Sequence, residues 1–128
     1  ESLIKLSLFL KKKYKIDKQN ILGHSDVAPD RKIDPGIYFP WEFLSKKSLG
    51  LWAKNRLNNL KLDEDNQKLF LKNLQRIGYP YLKINNNINL NKFVIESFHR
   101  HHLPNMVKSK PNHTSLNKTI DLLKKTID

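Results

Sequence analysis

Apolar positions recur three and four residues apart at the start of the chain, at Leu3, Leu6 and Leu10, with Ile4 and Leu8 beside them. That spacing predicts an amphipathic helix over residues 1–14. Lys11, Lys12 and Lys13 fall in its last turn, where cations complement the helix dipole, so the run reads as a solvated helix end. After a polar turn at residues 17–20, Ile21 and Leu22 form a short apolar run stopped by Gly23. Such a run suits a buried strand whose end presents His24. From Ser25 to Trp41, three prolines and a Pro-Gly pair argue for an ordered loop over that strand end and against a helix. Residues 42–48 suit a short turn of helix, Gly50 to Trp52 a closing apolar flap, and Ala53 to Lys61 a linker or connecting helix.

A boundary is placed near residue 60. Beyond it, Asp63 is positioned to cap a helix carrying Phe70, Leu74 and Ile77 on one face and ended by Gly78 and Pro80. The asparagine-rich stretch 85–91 reads as a loop with local side-chain capping. A second helix carries Leu90, Val94 and Phe98 and ends before Pro104; a third carries Leu116, Ile120, Leu123 and Ile127. Three short amphipathic helices need one another to bury these stripes, which predicts a small helical module.

Composition adds two constraints. The chain has 128 residues, 38% of them hydrophobic, enough for a real core in one domain or in one small domain plus part of another. It has no cysteine, which excludes disulfides, thiolate zinc sites and cysteine nucleophiles, so any metal must be held by His, Asp or Glu. The formal charge is +12, which invites a nucleic-acid or membrane-surface reading, but residues 1–62 carry +7 and 63–128 carry +5. The charge is therefore spread, and its excess of Lys (20) over Arg (4) is partly compositional. With neither a charge cluster nor a recognition motif, no nucleic-acid partner is expected; a basic surface also attracts an anionic polymer such as bacterial cell wall. No apolar run approaches a membrane span and no signal peptide is visible. The chain begins at Glu1 without methionine, and upstream sequence is expected to have been lost.

The mixture of residues at 23–41 is the chemically suggestive one. His24 and Asp34 are the candidate metal pair, since imidazole and carboxylate serve zinc where thiolates are lacking. Pro35 biases Asp34 towards an extended conformation, which puts Lys32 on the same side as Asp34 and Ile33 on the other. A cation there stabilises an oxyanion formed when a metal-bound hydroxide attacks an amide carbonyl. Taken alone, the pair reads as a satisfied histidine at a strand end and a turn former. Asp26 and Asp30 are rival ligands by type but suit side-chain turns in the loop. Trp41 reads as packing, while Tyr38 is either core or a surface for stacking on substrate sugars. His99, His101 and His102 form a histidine-rich run, read as the structural end of a helix and not as a metal tract.

The full string Gly23-His24-Ser25-Asp26, Ala28-Pro29, Arg31-Lys32, Asp34-Pro35-Gly36 and Phe39-Pro40-Trp41 resembles the signature of zinc-dependent N-acetylmuramoyl-L-alanine amidases of the AmpD and AmiD type. The resemblance covers residues 1 to about 52. It implies that His24 and Asp34 are zinc ligands and that Lys32 assists catalysis. Leu74 to Tyr79, Phe98-His99-Arg100-His101 with Pro104, and the last helix resemble the peptidoglycan-binding three-helix module of the AmiD branch.

The implied fold is an α/β amidase-domain fragment, a mixed sheet with flanking helices, at residues 1–60, followed by a three-helix bundle at 61–128. The implied reaction is zinc-dependent hydrolysis of the amide between N-acetylmuramic acid and L-alanine, with peptidoglycan or a muropeptide as partner. The family draws another zinc histidine and an acidic general base from sequence upstream of the first helix, where this chain has no match. The chain alone is therefore expected to be poorly active, with the missing amidase part as a possible partner. The alternative is a non-catalytic peptidoglycan-binding protein derived from such an amidase. The AmiD branch implies the bacterial cell envelope, the AmpD branch the cytoplasm.

Overall fold

The computed structural model describes residues 2–28, 36–80, 82 and 88–127, with Ser2, His24 and Ile127 described by backbone alone. Six α-helices carry the described chain: α1 (Ser2–Tyr14), α2 (His24–Val27), α3 (Trp41–Ser45), α4 (Glu64–Ile77), α5 (Lys92–His102) and α6 (His113–Ile127).

The core is built by the last three helices. Phe70, Leu71 and Leu74 of α4 meet Val94, Ile95 and Phe98 of α5 and Leu116 and Leu122 of α6, joined by Leu51, Ala53, Leu62, Tyr79 and Leu103. Phe98 stands at its centre, edge-on to Phe70 at 5.8 Å and to Tyr79 at 6.0 Å, the arrangement that ring quadrupoles favour. The ends of α4 have local causes. The Asp63 side chain accepts the Asn66 N–H at 2.8 Å, and Gly78, at φ +123°, donates to the Leu74 and Gln75 carbonyls.

The mixed sheet expected for residues 1–60 is not there: among the described residues no strand occurs, and the sole β pairing is an antiparallel bridge between Lys61 and Asn112. Ile21 is extended (φ −96°, ψ 107°), but a strand needs a neighbour to receive its backbone bonds, and none stands beside it among the described residues. The start of the expected loop also differs, because His24–Val27 is one turn of helix closed from the Gly23 carbonyl to the Asp26 N–H at 3.1 Å.

Residues 53–61 form no helix. They run as an open strap bonded to α6: Asn58 N–H donates to Thr114 Oγ1 at 2.8 Å, Thr114 N–H to the Asn58 carbonyl at 2.9 Å, and Lys118 Nζ to the Ala53 carbonyl and to Asn55 Oδ1. Helix α1 forms where its periodicity places it, yet Leu3, Leu6 and Phe9 are more than half exposed.

Candidate functional site

The turn that carries His24 is held from one carboxylate. Asp26, buried on α2, accepts the Gly23 N–H on Oδ2 at 3.0 Å, the Tyr79 hydroxyl on Oδ1 at 2.5 Å and the His101 Nδ1–H on Oδ2 at 2.6 Å. Tyr79 follows the helix stop at Gly78, and His101 lies in the last turn of α5. The three groups come from three places in the chain and meet in the interior.

His101 is itself held flat. Its ring lies parallel to Trp41 of α3 on one side and to His102 on the other, each at 3.9 Å between centroids. Burial, reinforced by the Asp26 charge and hydrogen bond, pushes the Tyr79 hydroxyl well above its usual 10.0. His102 is driven well below 6.5, chiefly by burial and then by His101 and Lys118. His99 pairs Nε2 with Ser115 Oγ at 2.8 Å, and burial lowers it to about 4. Lys118 is almost fully buried with Nζ 4.1 Å from the centre of the Trp52 ring, and burial lowers it to about 8. An open groove of about 400 Å³ is lined by residues that include Trp41, Phe43, Trp52, His102 and Asn105.

The residues assigned from the sequence are only partly placed. His24 opens α2, but its side chain lies outside the description. Lys32 and Asp34, like Asp30, lie outside the described residues. Tyr38 is 93% exposed, in the turn closed by Phe39 N–H on the Gly36 carbonyl, and is not packed into the core. Among the described residues no group of three His, Asp or Glu is arranged to hold a metal, and the two best donors, Asp26 and His101, are bonded to each other. Sequence reasoning read Asp26 as a local turn former and missed its long-range partners. The only signal in the sequence was an aromatic, Tyr79, and a histidine pair, His101 and His102, at the ends of two amphipathic helices.

No family model matches the chain. It is 40% identical over 52 residues to N-acetylmuramoyl-L-alanine amidase AmiD of Escherichia coli (strain K12), a stretch covering 41% of this chain and 19% of that protein. It is 55% identical over 42 residues to 1,6-anhydro-N-acetylmuramyl-L-alanine amidase AmpD of Haemophilus influenzae, covering 32% of this chain and 23% of AmpD. The backbone matches the solved structure of E. coli AmiD in complex with anhydro-N-acetylmuramic acid-L-Ala-D-γ-Glu-L-Lys, with a TM-score of 0.84 and 28% identity. That match takes in 96% of this chain and 50% of AmiD, so the chain spans about half of that relative. Sequence over the motif and backbone over nearly the whole length agree: the chain is a relative of the N-acetylmuramoyl-L-alanine amidases of the AmpD and AmiD type.

Proposed function

We propose that this chain contributes the loop-and-module half of a zinc-dependent N-acetylmuramoyl-L-alanine amidase. The reaction is hydrolysis of the amide between N-acetylmuramic acid and L-alanine in peptidoglycan or muropeptides. The observation that carries the reading is the backbone agreement with substrate-bound AmiD over 96% of the chain. Because about half of AmiD has no counterpart here, the activity is assigned to this chain acting together with the other half of the amidase fold.

In this reading residues 1–60 belong to the catalytic part and 61–128 to a wall-binding module. His24 and Asp34 hold zinc, with a further ligand from outside this chain. Zinc, when bound, polarises the carbonyl and lowers the pKa of its water. Lys32 places its ammonium against the oxyanion that develops on the carbonyl, and Tyr38, exposed at the surface turn, offers a ring to the substrate. Among the described residues no helix is long and apolar enough to cross a membrane, and the bacterial cell envelope is the proposed location.

Zinc stoichiometry separates this reading from a non-catalytic wall-binding protein. The chain, combined with an N-terminal amidase half, is expected to retain one zinc after dialysis, as measured by atomic absorption, and to lose it in His24→Ala and Asp34→Ala. Sedimentation with insoluble peptidoglycan in the absence of any bound zinc would favour the non-catalytic alternative.

A further inference from the structure

We propose that Asp26, Tyr79 and His101 are positioning residues, through which the helical module holds the turn that presents His24. The inference rests on the reading of His24 as a metal ligand.

Helix α2 is a single turn of four residues, far too short to hold its shape by intrinsic helix stability. Its restraint comes from elsewhere. Asp26 stands on that turn two positions from His24, and both its oxygens are engaged: Oδ1 by Tyr79, 53 residues away, and Oδ2 by His101, 75 residues away, together with the Gly23 N–H. All three side chains are buried, so a rotation of the carboxylate leaves at least one buried donor without its acceptor. The Gly23 bond closes the turn on one side of His24 and Asp26 closes it on the other. His101 is fixed in its plane between Trp41 and His102, so the restraint runs from α5 through an oriented imidazole and a carboxylate to the backbone N–H of Gly23, the residue that precedes His24.

A metal ligand on a one-turn helix gains its orientation from groups of this kind. Their loss in metal sites typically weakens binding about 10- to 100-fold.

The test uses the full isotope-labelled chain and the variants Asp26→Asn, Tyr79→Phe, His101→Leu and His101→Asn. Two readouts are taken: metal-free NMR of the Gly23 amide exchange rate and the His24 resonances, the latter assigned with His24→Ala, and zinc affinity by chelator competition. Asp26→Asn and Tyr79→Phe are expected to speed Gly23 exchange and shift the His24 resonances while the protection of α4 and α6 amides is kept. Zinc affinity is expected to fall about 10- to 100-fold. His101→Asn, whose amide nitrogen replaces the Nδ1 donor, is expected to restore most of what His101→Leu loses; a purely space-filling role would not distinguish the two. If Asp26→Asn does not fold, Tyr79→Phe, which keeps its ring against Phe98, decides the matter. Unchanged Gly23 exchange and His24 resonances in folded variants would overturn the proposal. Should His24→Ala bind zinc as tightly as the unaltered chain, the metal reading fails, while the metal-free readouts still decide the positioning role.

Discussion

Gly50 sits at φ +91° with the Trp41 ring 3.2 Å from where a β-carbon would stand. Both the backbone conformation and the ring oppose a side chain, and the ring is the one that also flanks His101. Gly50→Ala is therefore expected to lower stability by about 1–3 kcal/mol, read as a lower denaturation midpoint with an unchanged slope. His99 makes the molecule sensitive to acid. Burial lowers it to about 4 in the folded chain against an ordinary imidazole value of 6.5, so the unfolded state takes up the proton first. Its stabilising contribution is complete above pH 6.5 and is lost as pH falls through about 4, amounting to about 3 kcal/mol at that point. His102, shifted in the same direction, adds to the same loss. Urea midpoints measured from pH 7.5 down to 4 are expected to fall; a flat profile would contradict neutral burial of these rings.

Helix α4 was legible at both ends because its stop signals are local: the Asp63 cap lies three residues from the N–H that donates to it and the Gly78 stop needs only a positive φ. Asp63→Ala is accordingly expected to cost about 1 kcal/mol, measured as a shift in thermal midpoint. The expected strand at Ile21 and Leu22 failed for the opposite reason, since two apolar residues become a strand only if a partner receives their backbone bonds. The strap at 53–61 was equally illegible. Its bonds run to Thr114, Asn117 and Lys118, which lie 56 to 65 residues away. Lys118 illustrates the limit: a lysine in an amphipathic helix reads as solvent-facing, yet here it is buried against the Trp52 ring and the strap.

At the scale of the whole molecule, the candidate site divides into a part written in one contiguous string and a part assembled by folding. The string from Gly23 to Trp41 carries the amidase resemblance without any structure, through its residue types and spacing. The clamp of Asp26 by Tyr79 and His101 joins residues that no local pattern connects, and only packing of the helical module brings them together. The activity proposed for this assembly is cleavage of the N-acetylmuramic acid to L-alanine amide. The direct measurement is mass spectrometry of anhydro-N-acetylmuramyl peptide incubated with the chain and an N-terminal amidase half in the presence of zinc. Release of a peptide with a free L-alanine amino terminus is expected, with loss of that product in His24→Ala or Asp34→Ala. Intact substrate from a folded, zinc-loaded assembly, or cleavage indifferent to both substitutions, would contradict it.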